Sequence, residues 1–517
     1  MSAVSYNEDN SRMYAEKREM SKKEQWSRKL DYTLTILGCL VGFGNVWRFP
    51  YICMKNGGGA FLLPYVLILF LMVIPVYFLE ATLGQFTGKA IRDVWNYCPL
   101  IKGMGFGIQV MLIPTVCYYV MLMTWVMNYM YHTFQNPLPW STCGNEWNTP
   151  YCFSAMDNAR PQLIANVSNW NASSRNITHH DLHNYSANYE GNTSSTSNIT
   201  SSLTNLTYRE TKGHSAEEEF WQYKILGISS GLEDVGSLKL NLVLSLILAW
   251  VIVYLCIIKG IKSSGKVVYV TATLPYILLF VLLVHNLTLP GSMDGVVFFI
   301  KPDFETLLNI QVWIQAAIQI FYSLGIGWGI HITLSRYNKF NNNCLRDTFM
   351  VAIASEVTSV FAGFVIFSAF GFMAHQAKVP LTEVVKSGPG LGFVAYPMAL
   401  AQMPIPNLWA VLFFIAMLTL GVDGQFVLTE ITFVYFEDCF PFLVKKQVLF
   451  RACLTMIGIV MSLPFCTQCV AVFADGDVDG DVVYAAIVAI GVDDNGDIVY
   501  AFVVVVNSGG VGTDVVC

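Results

Sequence analysis

The sequence predicts an all-α polytopic membrane protein, and its composition carries most of that prediction. Of the 517 residues, 54% are hydrophobic and 13% are charged, whereas an average soluble domain is about 25% charged. The mean hydropathy is +0.49, and apolar segments of about twenty residues recur along the chain. This shortage of charge excludes a soluble globular fold. A net charge of −6 leaves no basic excess for nucleic-acid binding.

Nine apolar segments are each long enough to cross roughly 30 Å of hydrocarbon as a helix. They lie at 31–55, 61–84, 105–133, 238–258, 267–287, 312–334, 348–372, 408–433 and 447–465. With the N-terminus in the cytoplasm, Lys and Arg fall in every second short connection, as the positive-inside rule requires. We therefore expect a cytoplasmic segment at 1–29 and a transmembrane domain at 30–468, set in the lipid bilayer of the plasma membrane.

The long connection at 134–237 is expected to be a large glycosylated loop outside the cell. It contains several N-x-S/T acceptor sites for N-glycosylation, and one more follows in a later outside connection. These sites are Asn166, Asn171, Asn176, Asn184, Asn192, Asn198, Asn205 and Asn286. Cys143 and Cys152 lie in the same loop with eight residues between them. This pair suits a disulfide in an oxidising compartment, and two free thiols are the alternative.

Two of the nine segments contain residues that interrupt a membrane helix. The first includes GCLVGFGNVWRFP from residue 38, and the sixth includes SLGIGWGI from residue 323. Irregular backbone survives in hydrocarbon only where it lines a cavity, and paired broken helices point to a transporter's central site. Close packing through small residues is the alternative. Unwound carbonyl groups would suit Na⁺, and half-helix N-termini would suit a carboxylate.

Five longer motifs resemble the sodium- and chloride-dependent neurotransmitter symporter family, nearest to its glycine and neutral amino-acid carriers. They are GFGNVWRFPYICMKNGGGAFLLPY at 42–65, QIFYSLG at 319–325, YNKFNNNCLRD at 337–347, TSVFAGFVIF at 358–367 and LTLGVDGQF at 418–426. The resemblance extends from about residue 20 to about residue 468. It implies an inverted five-helix-repeat transporter fold and alternating access around a site at the membrane midplane.

The resemblance also implies two sodium sites and a chloride site. The sodium ligands would be Gly38, Leu40, Val41, Asn45, Ser323, Ser355, Leu420, Asp423 and Gly424. The chloride ligands would be Tyr65, Gln319, Ser323 and Ser359. Ser355 and Gly424 depart from the family, which has Asn and a hydroxyl residue there. Glu356, beside the first departure, is an unexpected acid in a membrane helix and marks either a functional group or decay of the site.

The resemblance assigns the substrate to Gly42, Gly44, Tyr119 and Trp328. Carriers of biogenic amines have an Asp at the first of these positions, so glycine there indicates a substrate whose carboxylate joins the bound sodium ion. The indole of Trp328 would narrow the pocket for a small substrate, although it could equally pack in the scaffold. Arg48 would close the outer gate. Trp26 and Asp438 would close the inner gate. Their basic partner is Lys23 where the family has Arg, and a lysine lacks the bidentate geometry of a guanidinium.

The family pattern stops after residue 468, and residues 469–517 form a low-complexity tail. It contains 15 Val, 8 Asp and 7 Gly, with no Lys or Arg, so the first 468 residues carry a formal charge of +2. A tenth membrane helix at 482–506 would bury three Asp residues, at about 2.5–3.5 kcal/mol each. We therefore expect no span there. Val, Asp, Gly and Ala share codons that begin with G, which favours a repetitive or frame-shifted tract as the origin of this tail.

These observations favour a symporter that uses Na⁺ with Cl⁻ to import a small neutral amino acid, glycine foremost. They predict no enzyme activity and no organic cofactor, because no catalytic triad, metal motif or phosphate motif is present. The alternative is a truncated or misread, non-transporting chain that only associates with intact transporter subunits. Formation of a homo-oligomer stays open.

Overall fold

The computed structural model describes residues 25–150, 152–154, 214–229, 236–377, 380–381, 391–468, 485–492 and 498–505. The described part up to residue 468 is almost entirely helical. Its helices are α1 (Lys29–Leu40), α2 (Phe49–Lys55), α3 (Leu62–Ile68), α4 (Ile74–Thr87), α5 (Met104–His132), α6 (Ala216–Glu219), α7 (Leu240–Ile257), α8 (Ile261–Thr271), α9 (Leu274–Leu287), α10 (Ser292–Ile300), α11 (Ile310–Ser323), α12 (Ile330–Ser335), α13 (Cys344–Ala377), α14 (Tyr396–Ala401), α15 (Pro406–Cys439) and α16 (Gln447–Ser462). Turns of π-helix at Gly44–Arg48, Leu69–Val73, Phe220–Leu226 and Leu391–Ala395 join several of them.

The structure confirms both predicted helix interruptions. In the first broken helix (α1, the turn Gly44–Arg48 and α2), the chain bends by 60° between the two helical parts. In the second broken helix (α11 and α12), residues 324–329 separate the two halves. Gly325, Gly327 and Gly329 have φ values of +58°, +85° and +73°. This left-handed conformation is readily accessible to glycine, so the sequence produces the break directly.

The all-α polytopic fold class is confirmed. Seven helices of the described residues are long and apolar enough to cross a membrane, and the first broken helix makes an eighth. The remaining predicted segment, the sixth, is the second broken helix, whose halves of 14 and 6 residues are each too short to span alone. Apolar side chains such as Leu71 and Leu79 are 73% and 58% exposed on the outer surface. Such outward-facing apolar residues suit contact with lipid rather than water.

Neighbouring helices surround the two interruptions. Helix α1 packs against α8 and α15, while the turn Gly44–Arg48 packs against α13. Helix α12 packs against α4, and α5 packs along α15. Both breaks therefore lie inside the bundle, shielded from lipid, which is the only setting where unwound backbone is tolerated in a membrane.

The described residues of the tail form two strands rather than a helix. Strand β1 (Ala485–Val492) pairs antiparallel with β2 (Ile498–Val505), with Ala485 opposite Val505. Both strands are rich in β-branched residues, which favour extended backbone. The prediction that this region forms no spanning helix agrees with these strands. The sequence argument considered only a helix here and therefore missed the pairing.

A buried ion cluster ties the last membrane helix to its neighbours. Arg451 of α16 is 1% exposed. Its guanidinium binds both carboxylate oxygens of Glu430, at 2.6 and 2.9 Å, and its Nε donates to Glu437 at 2.7 Å. Its Nη1 also donates to the carbonyl oxygen of Ile257 at 2.6 Å. The cluster therefore joins α16, α15 and the end of α7.

We expect Arg451→Leu to destabilise the protein by about 3–5 kcal/mol, because removal of one partner leaves uncompensated buried carboxylates. Thermal unfolding of the purified protein in detergent measures this effect. Arg346→Leu is a matched control, since Arg346 is exposed. Equal unfolding midpoints for the two variants would contradict the assignment.

Candidate functional site between the two broken helices

A small cavity lies between the two helix breaks. Its volume is about 80 Å³, and it is lined by residues of both broken helices, α5 and α15. The four predicted substrate residues, Gly42, Gly44, Tyr119 and Trp328, all line it. No lining residue carries a charged side chain. A substrate with a lone amino group would therefore find no carboxylate counter-ion in the cavity wall itself.

Two glycines make room for the hydroxyl group of Tyr119. A Cβ atom at Gly42 would lie 3.1 Å from this hydroxyl, and one at Gly424 would lie 2.6 Å from it. The absence of side chains at these two positions lets the phenol reach from α5 into the gap between α1 and α15. The departure at Gly424 thus removes a possible hydroxyl ligand and also permits this close approach.

Asp423 of α15 is a buried carboxylate suited to a cation. It is 1% exposed, and neither carboxylate oxygen makes a hydrogen bond of ordinary geometry to the described residues. A Cβ atom at Gly38 would lie 2.4 Å from Oδ2 of Asp423, so the carboxylate rests directly on the backbone of α1. An unpaired buried carboxylate is strongly unfavourable, and a bound Na⁺ would compensate its charge.

The break in α1 also changes the hydrogen bonding of its last turn. The backbone N–H of Gly42 donates to Oδ1 of Asn45 at 3.0 Å. A continuous helix would instead direct this N–H to the carbonyl oxygen of Gly38, four residues earlier. The break thus leaves the Gly38 carbonyl without this helical N–H donor. Gly38 and Asp423 are two of the residues that the resemblance assigns to one sodium ion, and this role stays a prediction.

The polar residues predicted for the other sodium ion and for chloride also come together. Nδ2 of Asn45 donates to Ser359 at 2.8 Å and to Ser323 at 3.5 Å. The hydroxyl group of Ser355, which replaces the family's Asn, is buried and has no hydrogen-bond partner among the described residues. Its oxygen can therefore serve as a ligand, although it reaches less far than an amide.

Glu356 contacts two of the four residues that the resemblance assigns to chloride. The hydroxyl of Ser323 donates to its Oε1 at 2.9 Å, and the hydroxyl of Tyr65 donates to its Oε2. The side chain is 6% exposed. A carboxylate therefore lies where the resemblance implies a chloride ion, a feature that sequence inspection notes only as an unusual acid.

The predicted gate residues have other partners in the described structure. Arg48 donates to Oε1 of Gln319 at 2.5 Å, and its guanidinium carbon lies 4.9 Å from the centre of the Tyr322 ring. Arg48, the predicted outer gate residue, thus contacts Tyr322, a residue that lines the cavity. It also engages a side chain that the resemblance assigns to chloride.

At the other end, Trp26 is buried and its Nε1 donates to the carbonyl oxygen of Leu334 in α12. Asp438 forms an ion pair with Arg336 at 2.9 Å. The predicted partner, Lys23, lies outside the described residues. Trp26 and Asp438 thus make separate contacts, one with α12 and one with Arg336 directly after it. Their closing of an inner gate stays a prediction.

Outside the site, Cys143 and Cys152 form the predicted disulfide, with their Cα atoms 5.9 Å apart. The seven glycosylation sites predicted in the long loop lie outside the described residues. The prediction for Asn286 is wrong for the folded chain. This residue is 2% exposed, and its amide nitrogen, the atom that would carry a glycan, donates to Val365 at 3.1 Å.

Sequence analysis misses one residue that holds the second break in place. Glu80 of α4 is buried, and its Oε1 accepts a hydrogen bond of 2.9 Å from the backbone N–H of Gly327. The unwound segment thereby satisfies a backbone donor with a side chain. An acid within the otherwise apolar segment 61–84 is the feature that could have revealed it.

The comparison with protein families agrees with this geometry. The model of the sodium:neurotransmitter symporter family matches residues 23–189 and 182–475. The chain belongs to this family. Members of this family are membrane transporters and not enzymes, which is the class that the sequence predicts.

Curated relatives of this symporter-family chain are creatine transporters. It is 41% identical over 442 residues to the sodium- and chloride-dependent creatine transporter 1 of Bos taurus, with 85% of this chain and 64% of that protein covered. It is 44% identical over 408 residues to the Mus musculus protein of the same name, with coverages of 79% and 59%. The creatine transporter of Torpedo marmorata is 41% identical over 412 residues, with coverages of 80% and 60%. The chain thus spans roughly three fifths of the length of these relatives, and none of the three is a glycine carrier.

We expect Gly38→Ala to raise the dissociation constant for sodium by about tenfold to a hundredfold. The new methyl group must displace the Asp423 carboxylate, and a contact to a charged group contributes about 1.5–3 kcal/mol. Equilibrium binding of radioactive sodium to the purified protein measures the change. Gly107→Ala is the control, because a Cβ atom there meets nothing within 4 Å. Unchanged affinity in Gly38→Ala would remove Asp423 from the site.

Proposed function

We propose that this chain is a sodium-coupled symporter of the plasma membrane that moves a small zwitterionic substrate by alternating access. The observation that carries the proposal is the cavity between the two helix breaks, together with the buried Asp423 carboxylate next to the lining residue Gly424. Among the described residues this carboxylate has no basic partner. The orientation with a cytoplasmic N-terminus belongs to the same proposal. It is supported by the alternation of basic connections along the sequence.

The cavity supports a substrate that carries its own carboxylate. With no charged side chain in its wall, the favourable partners for a carboxylate are the sodium ion, the Tyr119 hydroxyl and the backbone N–H groups that begin the second half of the first broken helix. The indole of Trp328 limits the length of the substrate. We propose glycine as the first candidate from the residues of the cavity.

Creatine is the second candidate, since the relatives are named for it. Like glycine, creatine carries a carboxylate at one end and a cationic group at the other. The two candidates differ in the length that the cavity must accept beyond Tyr119. Competition between glycine and creatine in one uptake assay therefore shows whether the cavity prefers the shorter or the longer substrate.

A different class of function is also supported by one observation. The family match ends at residue 475, and the described residues beyond it form strands instead of membrane helices. This feature favours a non-transporting membrane protein that associates with intact transporter subunits. The two functions differ in a single measurable property, which is uptake by cells that express this chain alone.

We expect cells that express the chain to accumulate labelled glycine or creatine in sodium medium and not in choline medium. Surface biotinylation provides the necessary control for delivery to the plasma membrane. Absence of sodium-dependent uptake of either compound by surface-delivered protein would sink the transport proposal. It would favour the associating, non-transporting chain instead.

Gly42→Asp is expected to abolish this uptake. The new carboxylate would lie beside the Tyr119 hydroxyl and repel a substrate carboxylate by about 4 kcal/mol at 4 Å and an effective dielectric constant of about 20. Gly107→Ala again serves as the control variant. Retained uptake in Gly42→Asp at normal surface levels would refute this placement of the substrate.

A further inference from the structure

The side chain of Glu356 joins three helices inside the bundle. It projects from α13 and accepts hydrogen bonds from Tyr65 of α3 and from Ser323 of α11. Both donors belong to the set that the family resemblance assigns to a chloride ion. The position of this carboxylate therefore bears directly on which anion the site contains.

The donors of the cage are largely used within the protein. A hydroxyl group has a single proton to donate, and Tyr65 and Ser323 direct theirs to Glu356. Ser359 donates to the backbone carbonyl oxygen of Ser355 at 3.4 Å. Among the four predicted chloride ligands, Gln319 alone keeps an unpartnered donor, its Nε2, within the described residues. One amide group is too few donors to replace the hydration shell of a chloride ion.

The negative charge of Glu356 lies next to Ser323, a predicted sodium ligand, and can interact with a bound cation. The described residues include no Lys, Arg or His in an ion pair with this carboxylate. Ser323 lies between Glu356 and Asn45, at 2.9 Å and 3.5 Å. Because the Ser323 proton points at Glu356, an oxygen lone pair is left for the neighbouring sodium site. The carboxylate thus orients a sodium ligand and offsets the positive charge of the ion.

We propose that the Glu356 carboxylate is the anion of this site and takes the place of chloride, so that sodium binding by this chain does not require chloride. A second negative charge about 4 Å away would weaken chloride binding by about a thousandfold at an effective dielectric constant of about 20. This inference rests on one part of the proposed function, namely the binding of a sodium ion. It departs from the chloride dependence stated in the names of the relatives.

The test is a chloride titration of the purified full chain at constant sodium concentration, with gluconate as the replacing anion. Thermal unfolding and binding of radioactive sodium are both measured. The wild-type protein should show the same unfolding midpoint and sodium affinity with and without chloride. In Glu356→Ser, chloride should raise the unfolding midpoint in a saturable manner. It should also raise the sodium affinity by about fivefold or more, within the usual range for coupled sites.

Two further variants keep the test decisive if the serine variant does not fold. Glu356→Gln preserves the shape of the side chain without its charge and should acquire the chloride response. Glu356→Asp preserves the charge and should not. Glu305→Ser removes an exposed acid and should behave as the wild type does. A chloride-dependent change in the wild-type protein, or no response in a folded Glu356→Ser or Glu356→Gln variant, overturns the proposal.

The titration needs no transport, so its outcome is separate from that of the proposed function. A chain that transports nothing still supports the inference if only the uncharged variants respond to chloride. Conversely, a chain with sodium-driven uptake that disappears in gluconate medium retains the proposed function and overturns the inference.

Discussion

Two interrupted helices inside a membrane set the conditions for the rest of this structure. Backbone groups released from a helix must find hydrogen-bond partners where no water is available. In this chain, individual side chains provide these partners. The Gly42 N–H donates to the side chain of Asn45, and the Gly327 N–H donates to Glu80. The Asp423 carboxylate lies against the backbone of Gly38, and neither of its oxygen atoms makes a hydrogen bond of ordinary geometry to the described residues. These oxygen atoms beside the first break are therefore available to a cation.

The buried charges of the described residues differ in the partners that surround them. Arg451 has its carboxylates and a backbone carbonyl around it, so its cluster is complete without a ligand and ties helices together. Asp423 has no such partners among the described residues, and Glu356 has only hydroxyl donors. These two acids, unlike those around Arg451, lack a positive charge from the protein. This difference distinguishes a complete structural ion cluster from the two acids that we propose act in the sodium site.

Much of the helical body could be predicted from the sequence, because its determinants are local. Apolar length predicts the membrane segments, and glycine with its access to positive φ predicts the break at residues 324–329. Long-range partners could not be predicted in the same way. Asn286 looks like an exposed glycosylation site in the sequence, yet packing against α13 buries it. Asp438 pairs with Arg336, and no spacing rule connects residues 102 positions apart.

The site itself shows the same division between local and long-range information. The sequence marks Gly42, Tyr119 and Asp423 as candidates through the family resemblance. The structure brings Gly42 and Tyr119 to one cavity and places Asp423 against Gly38 of the first broken helix. It marks Glu356 only as an oddity, because the meaning of that acid depends on Tyr65 and Ser323 from two other helices. The tail shows the opposite limit. There a helix was the only element considered, and the preference of Val and Ile for strands decided the outcome.

Saturable binding of radioactive sodium to the purified protein tests the central claim most directly. Asp423→Asn should lose this binding, because the neutral amide keeps the shape of the side chain and removes the charge that holds the ion. Asp294→Asn, which changes an exposed acid, should bind sodium as the wild type does. Equal sodium binding by wild type and Asp423→Asn would contradict the account, since the cation would then be held elsewhere than at the break in the first broken helix.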